Sequence, residues 1–151
     1  MLNKLLGTKD EISTTILRLT LGLVIFPHGA QKLLGWFGGY GFAGTMQHFT
    51  ETMGIPYLFA LLAVLAESFG ALGLIVGLGT RIAALGVGAT IGVAALMVHI
   101  PHGFFMNWSG SQAGEGFEYH LLVVGMALSL VLRGGGKWSL DRILASRPMG
   151  H

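Results

Sequence analysis

Apolar residues along the chain gather into four long runs, at about Ile12–Leu34, Pro56–Leu78, Ile82–Ile100 and Phe117–Leu132, separated by glycine-rich or polar breaks. A membrane-crossing helix needs roughly 20 residues, within a range near 17–25. Lipid offers the backbone no hydrogen-bond partner, so runs this long and continuous predict helices and not barrel strands. The fourth run is short and is expected to extend a little at either end. Two shorter patterns are amphipathic. Phe42, Met46, Phe49 and Met53 form one apolar stripe closed by Gly54 and Pro56, which predicts a surface helix. Ser139-Leu-Asp-Arg-Ile-Leu predicts a capped amphipathic turn anchored by Trp138. The expected architecture is a single domain over 1–151: an all-α integral membrane four-helix bundle with short interfacial helices.

Composition agrees with a bilayer protein, since apolar residues make up 52% of the 151 and charged ones only 11%, against a usual quarter charged. The distribution of the basic residues then predicts an orientation. Lys4 and Lys9 precede the first run, Arg81 sits between the second and third, and Arg133, Lys137, Arg142 and Arg147 follow the fourth. The loops 34–55 and 101–116 hold no Lys or Arg, which puts both termini in the cytoplasm. The first run carries Arg18 and no small-residue cleavage site follows it, so it is expected to be retained and not removed as a signal peptide. Trp36, Tyr40, Trp108 and Tyr119 match an aromatic belt at the outer interface. Ala66-xxx-Gly70, Gly73-xxx-Gly77 and Gly88-xxx-Gly92 are small-residue pairs suited to packing helices within one chain.

The chain has no cysteine, which removes disulfides, thiol catalysis, iron–sulfur ligation and covalent haem attachment. Phosphate-binding loops, nucleotide fingerprints, hydrolase elbows and nucleic-acid signatures are absent from it too. The informative residues are polar ones inside the apolar runs. At about 100° per residue, Arg18, His28 and Lys32 fall within roughly 80° of one helix face. A charge in mid-bilayer costs at least ~2.5–3.5 kcal/mol, so this face should point into the bundle. Counting ~1.5 Å per residue from a common inner plane puts Arg18 at ~9 Å, Glu67 at ~18 Å and His28 at ~24 Å. That count predicts an Arg18–Glu67 contact. His99, Glu118 and His120 fall toward the outer side, level with His28 and Lys32.

A polar pocket of Arg18, His28, Lys32, Glu67, His99, Glu118 and His120 suits a quinone headgroup. Histidine and lysine can donate to its carbonyl oxygens and a buried carboxylate can relay protons. A metal or haem held by the histidines is the second option. No catalytic residue is assigned, and whether the chain is an enzyme by itself stays open.

Arg18 with Gly29-x-x-Lys32, Gly54-x-Pro56, Glu67-x-x-Gly70, Gly77-x-Gly79-Thr80-Arg81, the His99 region, Gly116-x-Glu118-Tyr119 and Ser139-Leu-Asp141-Arg142 occur in that order. Together they resemble the DoxX family of small four-helix bacterial membrane proteins. The resemblance implies the bacterial cytoplasmic membrane and a link to quinone-dependent redox chemistry, with a soluble or membrane partner protein. The competing readings are a non-catalytic anchor or assembly subunit of a larger complex and a small-solute or proton pathway.

Overall fold

The structure, a computed structural model, describes residues 6–146. Lys4 and Arg147, counted above among the basic residues, lie outside them. Helix α1 is Ile12–Leu34. A short 3-10 turn leads into α2, Gly41–Gln47, which continues as a π-turn over His48–Thr52. Helices α3, Tyr57–Val76, and α4, Thr80–His102, form a tight hairpin. Helix α5 is Glu118–Arg133 and the short α6 is Leu140–Ala145. No strand occurs among the described residues, so the fold is all-α.

Three helices, α1, α3 and α4, are long and apolar enough to cross a membrane. Helix α5 has 16 residues, about 24 Å, less than the roughly 30 Å of the hydrocarbon core. The expected extension does not occur. The helix is set one residue later than its apolar run, and Gly134, at φ +83, stops it. Helix α5 packs along α4.

The core runs through the middle of the bundle: Leu21 and Ile25 of α1, Ala71 and Leu74 of α3, Val87 and Ile91 of α4, and Val123, Ala127 and Leu130 of α5. Large apolar side chains such as Leu58, Phe59, Leu62, Leu85, Leu96, Leu122 and Leu132 point outward. An apolar outer surface of this extent fits contact with lipid. The small-residue pairs do pack helices within the chain. A Cβ at Gly88 would stand 2.8 Å from the Ala127 Cβ, and one at Gly70 would stand 3.4 Å from Val87. The α2 stripe buries Met46 against Ala60 and Val64, with Phe49 beside them, while Phe42 stays exposed.

Basic residues gather at one end of the bundle, called here the basic end. Arg81 donates to the carbonyls of Val131 and Gly7, Arg133 pairs with Glu11 at 2.6 Å, and Arg142 pairs with Asp10. The turn between α3 and α4 uses Gly77 (φ +73) and Gly79 (φ +61) in the left-handed region, where a side chain would be strained. Ser139 caps the amphipathic turn, accepting the Arg142 amide, and Asp141 inside it serves another helix. Asp141 is buried, and its two carboxylate oxygens accept the amides of Gly79 and Thr80 at 2.7 and 2.9 Å, where α4 begins. An anion at a helix N-terminus satisfies free N–H groups and complements the helix dipole.

Candidate functional site

Arg18 belongs to this basic end. Its guanidinium donates to the carbonyls of Leu74 (2.5 Å) and Ile75 (2.6 Å), in the last turn of α3, and to that of Gly135 (2.9 Å). Those α3 carbonyls have no partner in their own helix, and a buried cation there closes the helix end. The expected Arg18–Glu67 contact is therefore corrected. The depth count starts both helices from one plane, but the structure does not. Gly77, just past the end of α3, lies against Arg18, with a Cβ there 3.0 Å from Cζ. Helix α1 thus begins about six residues, roughly 9 Å, beyond the end of α3, and Glu67 rises by that amount to the level of Gly29.

At that level α1 and α3 touch backbone to backbone. A Cβ on Gly29 would stand 2.3 Å from the Glu67 carbonyl oxygen, and Ser68 Oγ donates to the Gly29 carbonyl at 3.1 Å. One turn further along α1, Lys32 Nζ meets Glu67 Oε2 at 2.6 Å. The Glu67 side chain is 4% exposed and that of Lys32 23%, so the pair has a buried acid and a base that reaches the rim. Glu67 sits in a π-turn of α3, Ala66–Gly70, and His99 ends a π-turn of α4, Ala95–His99. Single π-turns inside α-helices re-aim side chains and frequently mark functional sites.

The opposite side of the cluster comes from α5. Tyr119 and His120 stand in its first turn. The His28 and Tyr119 rings lie 6.4 Å apart between centroids, and those of His99 and His120 only 3.9 Å apart. His120 is buried, His99 half-buried, and His28 exposed on the flank of α1. The hydroxyl of Tyr119 and Nδ1 of His120 are buried without a hydrogen-bond partner. A buried polar atom left in this state costs about 1–3 kcal/mol. On the far side of Tyr119 a half-open groove of about 300 Å³ is lined by Phe104, Met106, Trp108, Glu118, Leu121 and Leu122.

Glu118 holds the loop before α5, since its Oε1 accepts the Met106 amide at 2.9 Å. His28, Lys32, Glu67, His99 and His120 are thus brought to one end of the bundle, Glu118 borders it, and Arg18 stands apart. Among the described residues no three His, Asp or Glu side chains gather as a metal ion would require.

The family described as DoxX matches residues 13–100. The chain belongs to the DoxX family. The match takes in α1 to α4 and so includes His28, Lys32, Glu67 and His99. The chain is 34% identical over 135 residues to "Inner membrane protein YqjF" of Escherichia coli (strain K12), covering 89% of this chain and 94% of that one. It is 30% identical over 120 residues to "Putative oxidoreductase CatD" of Bacillus subtilis (strain 168), covering 80% and 79% respectively. A Haemophilus influenzae protein described only as uncharacterized is 29% identical over 149 residues, covering 93% of this chain and 89% of its own length. No solved structure matches this DoxX chain significantly.

Sequence reasoning misses one member of the cluster. It assigns Tyr119 to the aromatic belt with Trp36, Tyr40 and Trp108. Those three are 53%, 79% and 88% exposed, whereas Tyr119 turns its hydroxyl into the bundle. The available signal is its place beside His120 in the first turn of a helix, where neighbouring residues both reach the helix end.

Proposed function

We propose that this DoxX protein is a bacterial cytoplasmic-membrane subunit of a quinone-linked oxidoreductase system, with its basic end in the cytoplasm. Its opposite end binds a quinone-like headgroup. The observation that carries the reading is the pair of buried, partnerless polar atoms on Tyr119 and His120, beside exposed His28 and the Lys32–Glu67 pair. A quinone carbonyl oxygen is a pure acceptor, and Tyr O–H, His N–H and Lys N–H are donors. A ligand carbonyl would relieve the desolvation that the chain leaves uncompensated.

The residues present fit such a group. Tyr119, His120 and His28 would hold and orient the ring by hydrogen bonds. The buried Glu67 carboxylate, neutralised by Lys32, would take or give a proton next to it. The apolar groove beside Tyr119 would lodge a tail. A bound quinone would supply reversible two-electron carrier chemistry, with a partner protein as electron donor. The name of the Bacillus subtilis relative supports a redox role. The name of the Escherichia coli relative supports the inner membrane, and the basic end supports the orientation.

Titrating a short-chain quinone into the detergent-solubilised protein tests this. Saturable binding is expected in the wild type, with a loss of at least about tenfold, near 1.4 kcal/mol, in Tyr119→Phe and in His28→Ala. Absent binding, or equal binding in all three with the fold intact, would leave a membrane anchor or assembly subunit instead.

A further inference from the structure

Helix α5 starts lower in the bundle than its neighbours end. Tyr119, in its first turn, brings its ring to that of His28, next to the Gly29–Glu67 backbone contact. From that level, away from the basic end, α1 continues for about six residues and α3 for about ten, roughly 9 and 15 Å. The extra length of α3 is apolar on its outside, where Leu58, Phe59 and Leu62 are exposed. Helix α3 has 20 residues, about 30 Å, which matches the hydrocarbon core that α5 fails to cross. The shortfall of α5 therefore includes its Tyr119 end, and the groove beside Tyr119 lies at the depth of lipid chains. The segment 103–117 occupies the recess and turns its polar groups on itself. Glu118 accepts the Met106 amide, Glu115 accepts the Asn107 amide at 2.6 Å, and the Asn107 side chain exchanges two hydrogen bonds with the Gln112 backbone. Backbone at membrane depth requires such internal partners. Phe104, Phe105 and Trp108 of the same segment stay exposed.

We infer that this groove is a lateral entrance from the lipid to the cluster, and that it admits a neutral ring carried on an isoprenoid tail and dissolved in the bilayer. The inference rests on the quinone reading for the ring; the entrance itself depends only on where the groove opens. Leu121 and Leu122 line the groove and also belong to the outward side of α5, with Leu128 and Leu132. The groove is thus continuous with the surface that lipid covers. Phe104, Met106 and Trp108 form its other wall, and Tyr119, whose buried hydroxyl has no partner, lines it toward the cluster. Glu118 also lines it, but its carboxylate is occupied by the Met106 amide. A tail gains little by leaving lipid for an equally apolar groove. What the groove supplies is a path and an alignment that bring the ring to Tyr119. A ring bearing a charged group would lose its hydration along that path without a partner, so the entrance selects membrane-dissolved ligands over water-borne ones.

The test places the full chain in phosphatidylcholine bilayers and makes two measurements. The first needs no quinone. In a chain that keeps Trp108 alone, with Trp36→Phe and Trp138→Phe, bromine on the lipid acyl chains is expected to quench the fluorescence and aqueous iodide is not. In the chain that keeps Trp36 alone, past the end of α1, acyl bromine should quench less. Trp108 quenched by iodide, or no better by bromine than Trp36, puts the groove in water and overturns the entrance, whatever the protein binds. The second measurement compares one quinone ring on an isoprenoid tail with the same ring on a short chain. Leu122→Trp narrows the groove from the lipid side. It is expected to weaken the tailed quinone at least about tenfold and to leave the short-chain one within about twofold. Equal effects on the two quinones, or none on either, overturn the passage of the tail through the groove. Lipid-quenched Trp108 with no quinone bound by any of these proteins removes the quinone reading and keeps the entrance; quinone binding with an iodide-quenched Trp108 does the reverse.

Discussion

The two ends of the bundle handle buried polar groups in opposite ways. At the basic end Arg18, 2% exposed, meets three carbonyls, and Asp141, 1% exposed, meets two amides. Two atoms there lack partners as well: Arg81 Nε, whose guanidinium donates through its other nitrogens, and the Thr80 hydroxyl, which stands alone. At the opposite end the side chains of Tyr119, His120 and His28 make no hydrogen bond to any described residue, although two of them have buried polar atoms. One end spends its charges on closing α3 and opening α4. The other pairs Lys32 with Glu67 but leaves the Tyr119 hydroxyl and His120 Nδ1 free. Polar residues inside a membrane protein are therefore not one class: buried charges bonded to helix ends, as Arg18 and Asp141 are, serve the fold, while unpartnered polar side chains grouped beside exposed ones are open to a ligand.

The comparison breaks most visibly at Arg18. Arg18→Met keeps much of the side-chain volume and removes the charge, leaving the Leu74, Ile75 and Gly135 carbonyls without donors. Each buried carbonyl left without its donor costs about 1–3 kcal/mol. A large fall in folded yield and in the thermal midpoint of detergent-solubilised protein is expected. A variant of near wild-type stability would show that the basic end is not the structural lock. Quinone titration of whatever folds should give wild-type affinity, because Arg18 does not reach the cluster.

A change at Gly29 should cost less and acts at the other end. Gly29→Ala puts a methyl where the Glu67 carbonyl oxygen stands, 2.3 Å away. Helices α1 and α3 must part, at a typical cost of about 1–3 kcal/mol for overpacking, and Lys32 is carried away from Glu67. A lowered thermal midpoint together with weakened quinone binding is expected. Loss of stability with binding unchanged would mean that the helix crossing does not position the site.

Most of the fold is legible from the sequence. The apolar runs locate α1, α3, α4 and α5 to within a few residues, and the glycine pairs foretell close packing within the chain. The candidate site is legible only in part. Helical phase puts Arg18, His28 and Lys32 on one inward face of α1; the structure buries Arg18 and half-buries Lys32 but leaves His28 exposed at the edge of that face. Phase along one helix carries no information on the axial offset between two helices. The offset of roughly six residues between α1 and α3 decides that Glu67 meets Lys32 and that Arg18 meets the end of α3. The π-turns at Glu67 and His99 are equally silent, since an inserted residue that re-aims one turn leaves the hydrophobic pattern almost unchanged. Asp141 hides for a third reason: its partners are backbone amides of α4, 60 or more residues away in sequence.

The smallest expected effect sharpens the comparison best. Tyr119→Phe removes one oxygen from a site where the hydroxyl has no partner. A partnered hydroxyl contributes about 0.5–1.5 kcal/mol and its loss destabilises, whereas an unpartnered buried one costs free energy and its loss is neutral or favourable. The thermal midpoint of Tyr119→Phe in the absence of ligand is therefore expected to equal the wild-type value or to rise slightly, by up to about 1 kcal/mol in stability. The ring, and with it the packing against His28, is retained, so a fall cannot be charged to a cavity. A destabilised Tyr119→Phe would mean that the hydroxyl already has a structural partner, and this end of the bundle would join the other as scaffold. A stable Tyr119→Phe that binds quinone more weakly would show stability and ligand affinity moving in opposite directions at one atom. That is the behaviour of a group kept unsatisfied by the fold and satisfied by a ligand.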